Sequence, residues 1–151
     1  LCCGVAAEYF PGVKLSVKSD YAARAMLSLA RHGADGKAVK VEQLAAQNHI
    51  PPKYLVQILI DLKSRGLVRS VRGKEGGYML ARPAQDITLG EVLRSAHGAV
   101  FDSPALSDPN CPPELHEAWL KLQRQLDAAA DAINFQQLAD EGPSKQRMYY
   151  I

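Results

Sequence analysis

The sequence predicts a mainly α-helical chain with one small β-hairpin and a long C-terminal helix. Three features carry this. Apolar residues recur at helical spacing in stretches from Ser19 to Gly66 and again from Thr88. Strand-like alternation replaces that period on either side of a glycine-rich turn at residues 72–77. From Pro113 to Asp140 apolar residues repeat four and three apart.

The first helix has Ser19 or Asp20 as its cap and runs to Gly33, with Ala22, Ala25, Met26, Leu29 and Ala30 inward. A turn at 34–37 leads to a short second helix, Val41 to Asn48, with Leu44 and Ala45 inward. The third begins at Pro51-Pro52, where a first-turn proline sacrifices no helical hydrogen bond, and stops at Gly66, which is free to turn left-handed. Its inward stripe is Leu55, Ile58, Leu59 and Leu62. Residues 67–71 and 78–82 form the strands of a hairpin with a basic, glycine-rich tip, closed by Pro83. Thr88 and Glu91 have capping-box spacing and open a fourth helix with Leu89, Val92, Leu93 and Ala96 inward. A Pro/Asp/Ser-rich loop follows, around Cys111. In the last helix Leu115, Trp119, Leu122, Leu126, Ala129 and Ile133 form a heptad seam. The chain thus divides into a leader (1–12), a domain (13–97), a loop (98–113), a long helix (114–140) and a tail (141–151).

Composition narrows the function classes. Apolar residues make up 47% and charged ones 23%, as in ordinary soluble domains. No apolar run approaches the ~20 residues of a membrane span, and the opening residues lack the pattern of a secretory signal. No membrane partner is expected. Three cysteines, Cys2 and Cys3 adjacent, make no disulfide framework and fit a reducing cytoplasm. No glycine-rich phosphate loop, paired-carboxylate site or Ser/His/Asp arrangement is visible, so an enzyme is not expected.

The net charge of +2 conceals an asymmetry. Residues 13–83 hold 13 Lys/Arg against 5 Asp/Glu, a net of +8, while residues 84–151 hold 5 against 10, a net of −5. Only the first half suits a polyanion.

Helix, helix, turn, helix and a two-stranded wing make a winged helix-turn-helix, its two helices joined through Asn48-His49-Ile50. With its apolar stripe inward, the third helix shows Lys53, Val56, Gln57 and Ile60, flanked by Tyr54 and Lys63. Such a helix fits the major groove of double-stranded DNA. There Gln57 can bond an adenine bidentately, Lys53 reaches guanine or phosphate, and Tyr54 bonds phosphate or packs on sugar. Arg72 and Lys74 at the wing tip suit the adjacent minor groove or its phosphates. The competing reading is a merely solvated polar face; exposed Val56 and Ile60 argue against it. The seam then has two readings: packing on the fourth helix, or a homodimer interface. The dimer is the expectation, because DNA readers of this size usually need two half-sites.

Several runs resemble the Rrf-two regulators, the group of IscR, NsrR, RirA and CymR. They are Val13-Lys14-Leu15-Ser16-Val17-Lys18-Ser19-Asp20-Tyr21-Ala22-Ala23-Arg24-Ala25-Met26-Leu27, Ile50-Pro51-Pro52-Lys53-Tyr54-Leu55-Val56-Gln57-Ile58-Leu59, residues 67–73, 76–83 and 87–92. The resemblance covers about 13–140. It implies a homodimer held by the long last helix, a palindromic operator and regulation of transcription, commonly repression. It also places Val13 where relatives start, so residues 1–12 are expected to lie outside the native protein. Many members carry Glu where this chain has Val56, which can make only apolar contact, as with a thymine methyl. Their sequence preference therefore does not transfer.

Cluster-binding members place three cysteines in the loop before the last helix, plus a ligand from elsewhere. Here that loop keeps only Cys111. Asp20 stands where some relatives recruit a carboxylate from the partner subunit, and His116 is a further candidate. These are too few for an iron–sulfur cluster, which typically uses four ligands, and no cofactor or metal is expected. Cys111 is then an inert loop thiol or a redox-reactive one. Two alternatives to a cluster-free repressor stand: a cluster-binding regulator with an atypical ligand set, and an adaptor acting through a protein partner. A protein or small-molecule effector is left unassigned.

Overall fold

The computed structural model describes residues 15–149, with side chains described as far as Gly142 except at Ala34. The leader of residues 1–12 and Val13 lie outside the described residues.

Helix α1 (Val17–His32) begins earlier than either expected cap. Ser16 caps it, its Oγ accepting from the Ser19 backbone N–H at 3.0 Å. Ser19 itself is buried inside the first turn, where its hydroxyl receives that of Ser16 at 3.1 Å. Ala22, Ala25, Met26 and Leu29 form the buried stripe of α1, at the centre of the core. α2 (Val41–Asn48) and α3 (Pro52–Ser64) are joined by His49, at φ 54°, and buried Ile50. Asn48 ties α2 to α1 by donating to Ser28 Oγ at 2.8 Å. α3 ends as its glycine predicts. Gly66, at φ 72°, donates to the Lys63 carbonyl, and Leu67 donates to that of Leu62, both at 3.0 Å.

The wing pairs β1 (Val68–Val71) with β2 (Gly77–Leu80) antiparallel, Val68 opposite Leu80 and Val71 opposite Gly77. The second strand stops at Leu80, short of Arg82, although the Ala81 N–H on the Leu67 carbonyl at 3.0 Å carries the same register one residue further. Buried Val39 adds an isolated bridge to Tyr78, through two hydrogen bonds of 2.8 Å. This close approach requires a glycine next door: a Cβ on Gly77 would lie 2.3 Å from the Val39 carbonyl oxygen.

Helix α4 (Leu89–His97) carries the expected Thr88–Glu91 capping box. The single helix expected from Pro113 to Asp140 is instead two, α5 (Pro113–Asp131) and α6 (Phe135–Tyr149). Backbone pairing causes the break. The Leu89 N–H donates to the Ile133 carbonyl at 2.8 Å, and the Phe135 N–H donates to that of Ile87 at 3.1 Å. Phe135 thereby enters the core, fully buried. Asn134 caps α6, accepting the Gln137 N–H at 2.8 Å. Ile133, assigned to the seam, therefore lies outside the helix, and the segment drawn as one helix over 114–140 is α5, a short link and the start of α6. α6 folds back against α1. Among the described residues no helix is long and apolar enough to cross a membrane.

Candidate nucleic-acid interface

Burial of Leu55, Ile58, Leu59 and Leu62 decides which side of α3 faces out. Lys53, Tyr54, Val56, Gln57, Ile60 and Lys63 are all exposed. Ile60 is 48% exposed and Val56 40%, so two β-branched apolar side chains stand in solvent between polar neighbours. Singly such residues are common on surfaces; two on one face of a helix with an otherwise full apolar stripe need a partner more.

Helix α1 supports this face from behind. The Tyr21 ring meets the Tyr54 ring edge-on, centroids 5.7 Å apart at 79°. The Arg24 guanidinium lies 5.9 Å from the Tyr21 ring centre. Lys18 reaches across to Asp61 of α3, Nζ to Oδ2 at 2.7 Å. That ammonium holds the Asp61 carboxyl below the usual carboxylate range, against a smaller opposing effect of burial. The Gln57 amide donates to the other oxygen of Asp61, Nε2 to Oδ1 at 3.4 Å. Lys63, expected beside the groove, donates to Ser70 Oγ on β1 at 2.8 Å and so links α3 to the wing. Arg72 and Lys74 are exposed in the wing turn, which closes through the Gly76 N–H on the Gly73 carbonyl at 3.0 Å.

Sequence reasoning missed Lys18, Tyr21, Asp61 and Ser70. Lys18, Tyr21 and Ser70 join this face through contacts between elements that no local spacing announces, whereas Asp61 stands one turn from Gln57 on α3 itself.

The structure engages the three weak ligand candidates separately. Asp20 is bridged to Arg24 at 2.8 Å. His116 Nε2 lies 3.2 Å from the Leu106 carbonyl oxygen. The Cys111 thiol contacts the Pro112 carbonyl at 3.7 Å. Among the described residues no three His, Cys, Asp or Glu side chains are grouped to hold a metal. Along α5, Leu115, Leu122 and Leu126 are exposed at 45%, 38% and 37%, and Ala129 is exposed beside them. Trp119, half-buried, keeps its indole N–H buried without a hydrogen-bond partner.

A helix with cationic, amide and apolar groups on one face, flanked by a basic hairpin, can bind phosphates and read base edges. Comparison with known proteins points the same way. A family model described as Rrf2, iron-dependent transcriptional regulator, matches residues 15–141. A helix-turn-helix-type transcriptional regulator of Mycobacterium tuberculosis is 50% identical over 86 residues, 57% of this chain and 53% of that protein. The match thus spans about half the length of that relative. The structure of CymR, the global cysteine regulator of B. subtilis, aligns with a TM-score of 0.75 and 28% identity, covering 86% of this chain and 98% of CymR. In sequence, Bacillus subtilis CymR is 29% identical over 92% of this chain and 100% of its own length. IscR of T. potens aligns with a TM-score of 0.71 and 30% identity, covering 92% of this chain and 98% of IscR.

Proposed function

Because the chain belongs to the Rrf2 family of transcriptional regulators, we propose that it works in the cytoplasm as a homodimeric repressor that binds a palindromic operator. α3 enters the major groove, and Arg72 and Lys74 of the wing reach the neighbouring backbone or minor groove. The observation that carries this reading is the outward face of α3, where exposed Val56 and Ile60 sit among Lys53, Tyr54, Gln57 and Lys63. Val56 and Ile60 meet thymine methyls, Gln57 bonds a base, and Lys53 and Tyr54 hold sugar and phosphate. Lys63 keeps two ammonium hydrogens beyond the one given to Ser70, enough for a phosphate as well.

The exposed row Leu115, Leu122 and Leu126 supplies the dimer contact. A second subunit would cover these leucines. Dimerisation sets two copies of α3 at a spacing that matches two half-sites.

The family's description as iron-dependent raises the question of a metal centre. The donor set among the described residues does not fit an iron–sulfur cluster. Among the described residues Cys111 is the one thiol, and Asp20 and His116 are held by Arg24 and Leu106. The operator complex is therefore assigned to the protein without a cluster. The test of the reading is binding of a selected duplex against its scrambled version over a range of salt. The selected duplex binds far more tightly, and affinity falls steeply with salt as counterions leave the DNA. Equal binding of both duplexes would refute it.

A further inference from the structure

We propose that Asp61 is a positioning residue for sequence reading: it holds the Gln57 amide with Nε2 turned along α3 and Oε1 facing the base edges as an acceptor. This rests on the reading of α3 as the recognition helix.

Gln57 and Asp61 stand one helical turn apart on the same side of α3, close enough for their side chains to meet. Alone, an exposed pair with an Nε2–Oδ1 distance of 3.4 Å would orient the amide only weakly. Asp61 is not alone. Its second oxygen is gripped at 2.7 Å by Lys18, which belongs to a helix anchored through the core. The carboxylate is therefore a fixed acceptor, and Lys18 balances a negative charge that would otherwise repel DNA phosphates. With one Nε2 hydrogen given to Asp61, the amide oxygen is the group the proposed orientation presents to the groove.

The major groove translates that orientation into a base choice. Adenine N6 and cytosine N4 are the donors there, whereas guanine O6 and N7 and thymine O4 accept. An outward Oε1 selects the donor edges. The remaining Nε2 hydrogen can reach adenine N7, which favours adenine above cytosine. Guanine and thymine are disfavoured twice, since their acceptors face both an amide oxygen and the nearby carboxylate. Without Asp61 the amide can turn over and serve donor and acceptor edges alike.

The experiment compares full-length wild-type protein with Gln57→Ala, Asp61→Ala, Asp61→Asn and the Gln57→Ala/Asp61→Ala pair. Duplexes are selected from random DNA and base preference is scored at the position that Gln57→Ala alters. Wild-type protein prefers adenine, then cytosine, at that position. Asp61→Ala lowers the preference about fivefold, at the low end of what one good base contact supplies. Asp61→Asn, which keeps an acceptor, retains most of it. Adding Asp61→Ala to Gln57→Ala changes that position no further. Wild-type preference in Asp61→Ala, or additive losses in the pair, would overturn this inference while leaving the recognition face intact. If Gln57→Ala alters no position, the recognition face and this inference fall together.

Discussion

Arg94 and Asp131 form a two-pronged ion pair, Nη1 to Oδ1 and Nη2 to Oδ2, each at 2.8 Å. Arg94 lies in α4, and Asp131 is the last residue of α5, where the C-terminal helix breaks. Arg94 also reaches Asp127 one turn earlier, at 3.2 Å. The fork fixes the end of α5 against the DNA-binding domain, just before the strand-like link that delivers Phe135 to the core. Whatever α5 contacts is thereby coupled to α4 and the core.

This pair makes stability depend on acid. Arg94 holds the Asp131 carboxyl below its ordinary range, so its contribution is complete above the usual carboxylate pKa of about 4 and is lost as pH falls through the lowered value. Both side chains are partly exposed, which limits the effect to roughly 1 kcal/mol. Asp131→Asn is expected to be less stable than wild type in urea at neutral pH, with the gap closing in strong acid. A gap unchanged across that range would contradict it.

Gly77 in the wing and Gly33 at the end of α1 give a contrast between two glycines. Gly77→Ala drives a Cβ into the Val39 backbone and is expected to cost about 1–3 kcal/mol. Gly33→Ala places its Cβ in open space at helical φ −62° and is expected to be neutral or slightly stabilising. Thermal melts of the two variants check both. Similar melting temperatures would mean that Gly77 is not held against Val39.

Much of the wing and of α3 was legible because their signals are local. Pro51-Pro52 starts α3, Gly66 ends it, and its four-residue apolar stripe leaves one face outward. Thr88 and Glu91 announce α4 by spacing alone. The break before α6 had a local sign too, since Asn134 precedes Gln137 by capping-box spacing. The heptad seam outweighed it, because Ile133 continues the four-three repeat in sequence while its carbonyl pairs with Leu89 in space. The grip of α1 on α3 is different. Lys18–Asp61 and Tyr21–Tyr54 join residues far apart in the chain, and only packing of the two helices reveals them.

The exposed leucines of α5 predict oligomeric state. Leu122→Asp with Leu126→Asp puts carboxylates where a partner helix would bury them, and unpaired buried charge is strongly destabilising. The double variant is expected to sediment as a monomer and to lose operator binding. A dimeric double variant with full DNA affinity would remove α5 from the interface.

Cofactor independence is checked on anaerobically purified protein. It is expected to show no visible absorption band and to bind its operator without iron, and Cys111→Ser is expected to bind equally in reductant and peroxide. Near-stoichiometric iron and sulfide with a visible band would instead assign the loop around Cys111 to a cluster.

The most direct measurement of α3 as the reading element is selection of duplexes from random DNA by wild-type protein and by Gln57→Ala. Wild-type protein is expected to enrich one dyad-symmetric sequence, its half-sites separated by about one helical turn or a multiple of it. Gln57→Ala is expected to lose roughly 1–3 kcal/mol of discrimination at one base pair per half-site and to keep the ranking elsewhere. An unchanged ranking at every position, with wild-type affinity, would contradict the account.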